Sequence, residues 1–308
     1  MISAENGILQ RAAAEKEVCL KTAEQLCFAV ILRSENILTY FLSKINIRTG
    51  VFQMTASYPE RVFLHVTETV STNDDVKKMI YSGDDRFTLL SADTQSGGRG
   101  RLGRSFLSPE GGVYFSAAYP LSGREKNIPF LTLAAGLAAA EAIDGAAAGE
   151  NTPTPLIKWP NDIYINGKKV CGILTELVSA GGRSTAIVGI GINVKSFGES
   201  CPAELKDKIT ALNDEGIFPD RCILIRSIAE RLDRLVYSEN VLEDVPDSVL
   251  DALNSRSFVR GKEIVFSDGS AKKSGVAASI ERDGSLRVVT ANGDRFVKFG
   301  EITAMQTR

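Results

Sequence analysis

The chain has 308 residues, 44% hydrophobic and 24% charged, with a net charge of −2; this is an ordinary globular composition, long enough for one large domain and a smaller one. The near-neutral balance argues against a general nucleic-acid binder, so an arginine cluster is expected to serve a small anion. One histidine, His65, excludes zinc hydrolases with several His ligands, and five cysteines (Cys19, Cys27, Cys171, Cys201 and Cys222) with no C-x-x-C pair indicate reduced thiols in a cytoplasm and no zinc site.

Residues 8–46 carry apolar positions at helical spacing, among them Leu20, Cys27, Val30 and Phe41, but no motif. One or two helices are expected there, either as a helix-turn-helix without a clear basic recognition helix or as a plain N-terminal extension over residues 1–60. The first residues are polar and mixed in charge, unlike a secretory leader. The apolar run 28–42 is interrupted by Arg33, Ser34, Glu35 and Asn36, short of the ~18 residues that span a bilayer. From Arg61, RVFLHVTETV alternates as a strand, with His65 a plain member of it. STNDDVKKMIYSG follows as a short helix capped by Ser71 or Thr72. FTLLSAD (87–93) and GGVYFSAAYPL (111–121) read as strands, and the Ala-rich 128–147 as a buried helix. PLIKWPNDIYINGKKVCGILTELV (155–178) contains a hairpin turning at Asn166-Gly167, the preferred type I′ dipeptide. STAIVGIGINVK (184–195) is another buried strand, and helices are expected at 219–238 and 244–254. Beyond Ser257, turns at Asp268-Gly269, Asp283-Gly284 and Asn292-Gly293 indicate a small antiparallel barrel, with a domain boundary near 255.

Two stretches carry chemistry. GGRGRLGR (97–104) has four glycines, each costing roughly 1 kcal/mol in a helix relative to Ala, so it reads as a loop. Glycine lets backbone N–H groups approach a phosphate chain closely, and Arg99, Arg101 and Arg104 add permanently charged, planar forks. The second stretch, KWPNDIYINGKKVCGIL (158–174), sets an Asn-Asp pair near two lysines. Asp162 suits either Mg²⁺ or a turn, and Lys168 or Lys169 suits a phosphate or carboxylate. Trp159 reads as a core residue or a site residue, and Cys171 as an inert buried thiol.

GRGRLGR, KWPND followed by K-x-x-G, the upstream STN, and GIGINV, in that order, resemble biotin–protein ligases, also called biotin–acetyl-CoA-carboxylase ligases. The resemblance runs from about residue 61 to the late GEIT (300–303). It implies an α/β (α+β) fold: a mixed-sheet biotin/lipoate-ligase-like catalytic domain over 61–255, then an SH3-like C-terminal barrel over 256–308. It implies ATP and Mg²⁺ as cofactors and biotin as substrate. Biotin would first become biotinyl-5′-AMP and would then pass to a lysine of the biotin carboxyl carrier protein of a carboxylase. No membrane is implied, and the chain is expected to be cytoplasmic, as a monomer or homodimer. By the same resemblance Ser71, Thr72, Asn73, Gln95, Arg99, Gly100, Arg101, Lys169 and Gly172 bind biotin. Arg99, Arg101, Arg104, Phe106, Asn161, Lys169 and Asn193 bind ATP or the adenylate. Arg101, Lys169 and Asp162 are the catalytic set, with Asp162 also the metal residue, and Phe106 stacks on adenine. Leu102 departs from the pattern, standing where many relatives carry a basic residue. Three other readings stay open: lipoate–protein ligase, a ligase that also represses the biotin operon, and a non-catalytic binder.

Overall fold

The computed structural model describes residues 48–52, 61–83, 87–121, 123–147, 149, 152–267, 272–298, 300 and 302–304. The helical expectation for residues 8–46, Cys19, Cys27 and the Asp268-Gly269 turn lie outside the described residues. In chain order the larger unit comprises strands β1 (Arg48–Phe52), β2 (Arg61–Thr69), β3 (Phe87–Gln95), β4 (Val113–Pro120), β5 (Leu156–Lys158), β6 (Asp162–Ile165), β7 (Lys168–Ala180) and β8 (Arg183–Ile192). They form one sheet in the order β1-β2-β3-β4-β8-β7-β6-β5. Helix α1 (Thr72–Tyr81) links β2 to β3, the one parallel pair, because a parallel neighbour needs a crossover. The other neighbours are antiparallel. β1 lies inside the stretch read from sequence as an extension, yet it joins this sheet, with Arg48 opposite His65 and Phe52 opposite Arg61.

The sheet is covered on both faces. Val76 and Met79 of α1 pack on Leu64, Val66, Leu90, Ala92, Ala118, Val178 and Ile187. The opposite face meets α2 (Ile128–Ala146) and α3 (Arg221–Asp233), while α4 (Asp247–Ser255) packs on α2 and on the later strand Lys272–Ile280. α2 is apolar nearly all round, as a helix inside a core must be; it is long and apolar enough to cross a membrane, but most of it is buried in the protein. Asp220 caps α3 by accepting from Ile223 N at 2.9 Å. The expected helix over 219–238 is α3 followed by a π-turn at Arg234–Ser238. α4 starts after Pro246 rather than at 244, with Pro246 in extended backbone before the first turn. Between β2 and α3, Arg61 and Asp233 form a fully buried ion pair, and Tyr119 OH donates to Asp233 Oδ1 at 2.9 Å.

The smaller unit has strands β9 (Glu263–Ser267), β10 (Lys272–Ile280), β11 (Leu286–Thr290), β12 (Gly293–Val297) and β13 (Ile302–Ala304) in the order β12-β11-β10-β9-β13. Among the described residues the expected small barrel is seen as this antiparallel sheet, with no pair joining β12 to β13. Its core is continuous with that of the larger unit: Ile264, Phe266, Leu286 and Ile302 belong to the same apolar cluster as Trp159, Ile157 and Leu253. Polar bonds also cross the junction. Trp159 Nε1 donates to Gly284 O at 2.9 Å, and Asn254 bonds both the carbonyl and the N–H of Ile280, at 3.0 and 2.8 Å.

Candidate active site

A cavity of about 260 Å³ opens at the N-terminal end of α1, above β7 and β8. Its floor depends on three glycines. Gly172 and Gly191 are register partners on adjacent strands. A Cβ on Gly191 would stand 2.6 Å from the Phe106 ring, and one on Gly189 would collide with Asn73 Oδ1. GIGIN and K-x-x-G therefore leave room for two side chains to lie against bare backbone.

One wall is a hydrogen-bonded polar cluster. Ser71 occupies the N-cap of α1, but its side chain makes no capping bond. The first helical N–H, that of Thr72, is taken instead by Gln95 Oε1 at 2.9 Å, which also accepts from Thr72 Oγ1 at 3.1 Å. Gln95 Nε2 donates to Ser108 Oγ at 2.9 Å. Beneath them the fully buried Ser116 hydroxyl lies 2.7 Å from Thr72 Oγ1 and 2.5 Å from Asn73 Oδ1.

The other wall is cationic. Arg99, Arg101, Arg104, Lys158 and Lys169 line the cavity against one carboxylate, Asp162. The arginine loop has internal order. Arg99 bridges Ser105, Arg101–Gly103 form a single 3₁₀ turn, and Phe106 N donates to Gly98 O at 2.8 Å. Arg99 pairs with Asp74 and lies 3.3 Å from Glu176. Arg101 donates to Asn161 Oδ1 at 3.0 Å and to Gly300 O at 3.3 Å, so the smaller unit also reaches the site. Burial lowers the Arg101 pKa, and Asp162 opposes that shift. Lys169 Nζ stands 2.7 Å from Asp162 Oδ1 and 5.7 Å from the Phe106 ring centre. Burial also lowers the Lys158 pKa, opposed by Asp162 and reinforced by Arg104.

The cavity thus gathers Ser71, Thr72, Asn73, Gln95, Arg99, Gly100, Arg101, Arg104, Phe106, Asn161, Asp162, Lys169 and Gly172. Asn193 is the exception. It is buried behind the floor, donating from Nδ2 to Thr210 O at 3.0 Å and from its N–H to Val170 O at 2.9 Å. Thr210 N in turn bonds Lys169 O, so Asn193 braces the Lys169 strand instead of lining the cavity. Lys168 is not among the lining residues either, since successive strand residues face opposite sides. Lys158 was not expected from sequence. Its signal lies in KWPND itself, where a three-residue turn returns the chain so that Lys158 pairs with Asp162. Ile302 and Thr303 were also missed. His65 lies on β2 outside the cavity, with Ser91 Oγ 3.0 Å from Nδ1 and Asp93 Oδ2 3.3 Å from Nε2. Cys171 faces away from the floor into the core, fully buried, and burial pushes its thiol pKa far up.

Residues 64–193 match the biotin/lipoate A/B protein ligase family. The bifunctional ligase/repressor BirA of Bacillus spizizenii is 44% identical over 144 residues, which are 46% of this chain and 43% of that protein. The chain therefore spans less than half the length of this relative. The biotin–[acetyl-CoA-carboxylase] ligase of Mycobacterium tuberculosis is 28% identical over 250 residues, covering 78% of this chain and 88% of that protein. Among solved structures, the biotin protein ligase from Aquifex aeolicus in complex with biotin and ATP superposes with a TM-score of 0.65 at 29% identity, covering 80% of this chain and 99% of that one.

Proposed function

We propose that this chain, whose residues 64–193 match the biotin/lipoate A/B protein ligase family, is an ATP-dependent biotin–protein ligase. One observation carries the reading: a cavity with a neutral donor–acceptor wall on one side and five cations on the other. A cyclic urea, with N–H donors and a carbonyl acceptor, satisfies the Ser71–Thr72–Asn73–Gln95 wall. A dithiolane would leave the donor and acceptor positions that this wall still turns to the cavity unpaired, at a cost in free energy. The cationic wall then receives the biotin carboxylate and the ATP phosphates.

In the first step the carboxylate oxygen attacks the α-phosphorus, the bond to the bridging oxygen breaks, and pyrophosphate leaves with that electron pair. Two anions meet, and their repulsion is about 4 kcal/mol per unit-charge pair at 4 Å near a surface. Arg101, Arg104, Lys158 and Lys169 offset it and stabilise charge growing on the α-phosphoryl oxygens. Asp162 with the phosphates forms an oxygen set of the kind Mg²⁺ takes, and the ion would supply further charge neutralisation there. In the second step a lysine amine of a biotin carboxyl carrier protein attacks the acyl carbon, loses a proton, and releases AMP. Phe106 stacks on the adenine, and the 97–104 loop shields the adenylate from water. The catalytic domain is assigned to the larger sheet with its helices and the SH3-like domain to the smaller sheet. A cytoplasmic enzyme, monomeric or dimeric, fits this reading.

The test is ATP–pyrophosphate exchange with Mg²⁺, comparing added biotin with added lipoate. Exchange that requires biotin supports the reading. Exchange with lipoate moves the chain to the sister activity, and exchange with neither leaves a binding protein.

A further inference from the structure

The polar wall is held from behind by a residue that does not itself line the cavity. Glu176 lies on β7, two positions beyond Leu174 and so on the same strand face. Its Oε2 accepts from Asn73 Nδ2 at 2.8 Å, and Lys77 Nζ donates to Oε1 at 2.8 Å. Arg99 stands 3.3 Å from Oε2. An ionised carboxylate only accepts hydrogen bonds, so it dictates which end of the Asn73 amide faces it. The second Asn73 N–H goes to Leu174 O at 3.4 Å, and Oδ1 receives the Ser116 hydroxyl at 2.5 Å. Both N–H groups are thus spent on the protein, and the amide has only an acceptor lone pair left to offer.

We propose that Glu176 is a positioning residue for ligand selection: acting through Asn73, it makes this point of the pocket an obligate acceptor and so selects a head group with an N–H donor there. The inference rests on the biotin reading, in which that donor is a ureido N–H. Burial works against ionisation of Glu176, yet Lys77, Asn73 and Arg99 together hold its carboxyl below the usual range. It is therefore ionised, and acceptor-only, at neutral pH.

Calorimetric titration of the full chain with biotin tests this in the wild type, Glu176→Gln, Asn73→Ala and the double variant. Glutamine restores the option of donating, so E176Q is expected to weaken biotin binding roughly tenfold, with ATP binding unchanged. In the Asn73→Ala background E176Q is expected to cost nothing further, because its effect passes through that amide. Glu176→Asp keeps the charge but withdraws the acceptor; it should reproduce the loss, and it serves if E176Q does not fold, as thermal melting would report. Wild-type-like binding by E176Q or E176D overturns the proposal, as does a loss that simply adds to that of Asn73→Ala. Failure of the wild type to bind biotin would overturn the functional reading, and this proposal with it.

Discussion

At the scale of single residues, Arg101 has the largest set of duties. It bonds Asn161, reaches Gly300 O and lines the cavity, all while partly desolvated. Arg101→Ala is expected to cost on the order of a hundredfold in biotin-dependent pyrophosphate exchange, with little change in melting temperature. Lys158 gives a pH signature. Its pKa lies below 10.5 because burial disfavours the charged form. The positive charge is present below that depressed pKa and lost as pH rises through it. ATP affinity should therefore decline on the alkaline side earlier than an exposed lysine would cause, and Lys158→Met should abolish that limb. Much of the site was legible at this scale. STN, GRGRLGR and K-x-x-G are contiguous and chemically unusual, and residues of all three line one cavity. Lys158 and Asn193 were not legible, because their roles depend on pairing: a strand register in one case, a bond to Thr210 in the other.

At the scale of elements, the arginine loop is the part with conflicting demands. It is pinned at both ends, by Gly97 N to Val70 O at 2.9 Å and Gln95 N to Ser108 O at 3.1 Å. Its tip carries Leu102, 75% exposed and at φ 56°, in the left-handed region that Leu rarely adopts. A tip that gains so little from packing is expected to move when the cavity is empty. Trypsin should cut after Arg101 or Arg104 in the free protein, and biotin with ATP should slow that cleavage severalfold by closing the loop. Resistance in the free protein would mean that the loop is already closed. Hairpins and helices at this scale followed local sequence: Asn166 and Gly167 both take positive φ, as a type I′ turn requires. The end of α3 did not: nothing in 234–238 breaks a helix, yet the chain there takes a π-turn in which Leu235 and Val236 are buried.

At the scale of the whole molecule, the two sheets share one core, so thermal unfolding is expected to be a single transition. Trp159→Phe tests the junction. It keeps most of the apolar contact but strands the buried Gly284 carbonyl, which costs about 1–3 kcal/mol. A melting temperature lower by a few degrees, still in one transition, is the expected outcome; two separate transitions would mean that the units unfold independently. The turns at Asp283-Gly284 and Asn292-Gly293 could be read from those pairs. Its place against the cavity could not, because that depends on a tryptophan indole meeting a carbonyl far along the chain.

Cys171 turns the sheet into something that can be timed. It stands next to the floor glycine Gly172 but faces the opposite layer, beneath α2, whereas Cys222 is exposed. In a variant with the other four cysteines replaced, an alkylating reagent reaches Cys171 only when the strand and the helix covering it part company. The loss of that thiol is then a clock on the pocket floor, and its slowing by bound ligand would report how tightly occupancy closes the layers beneath it.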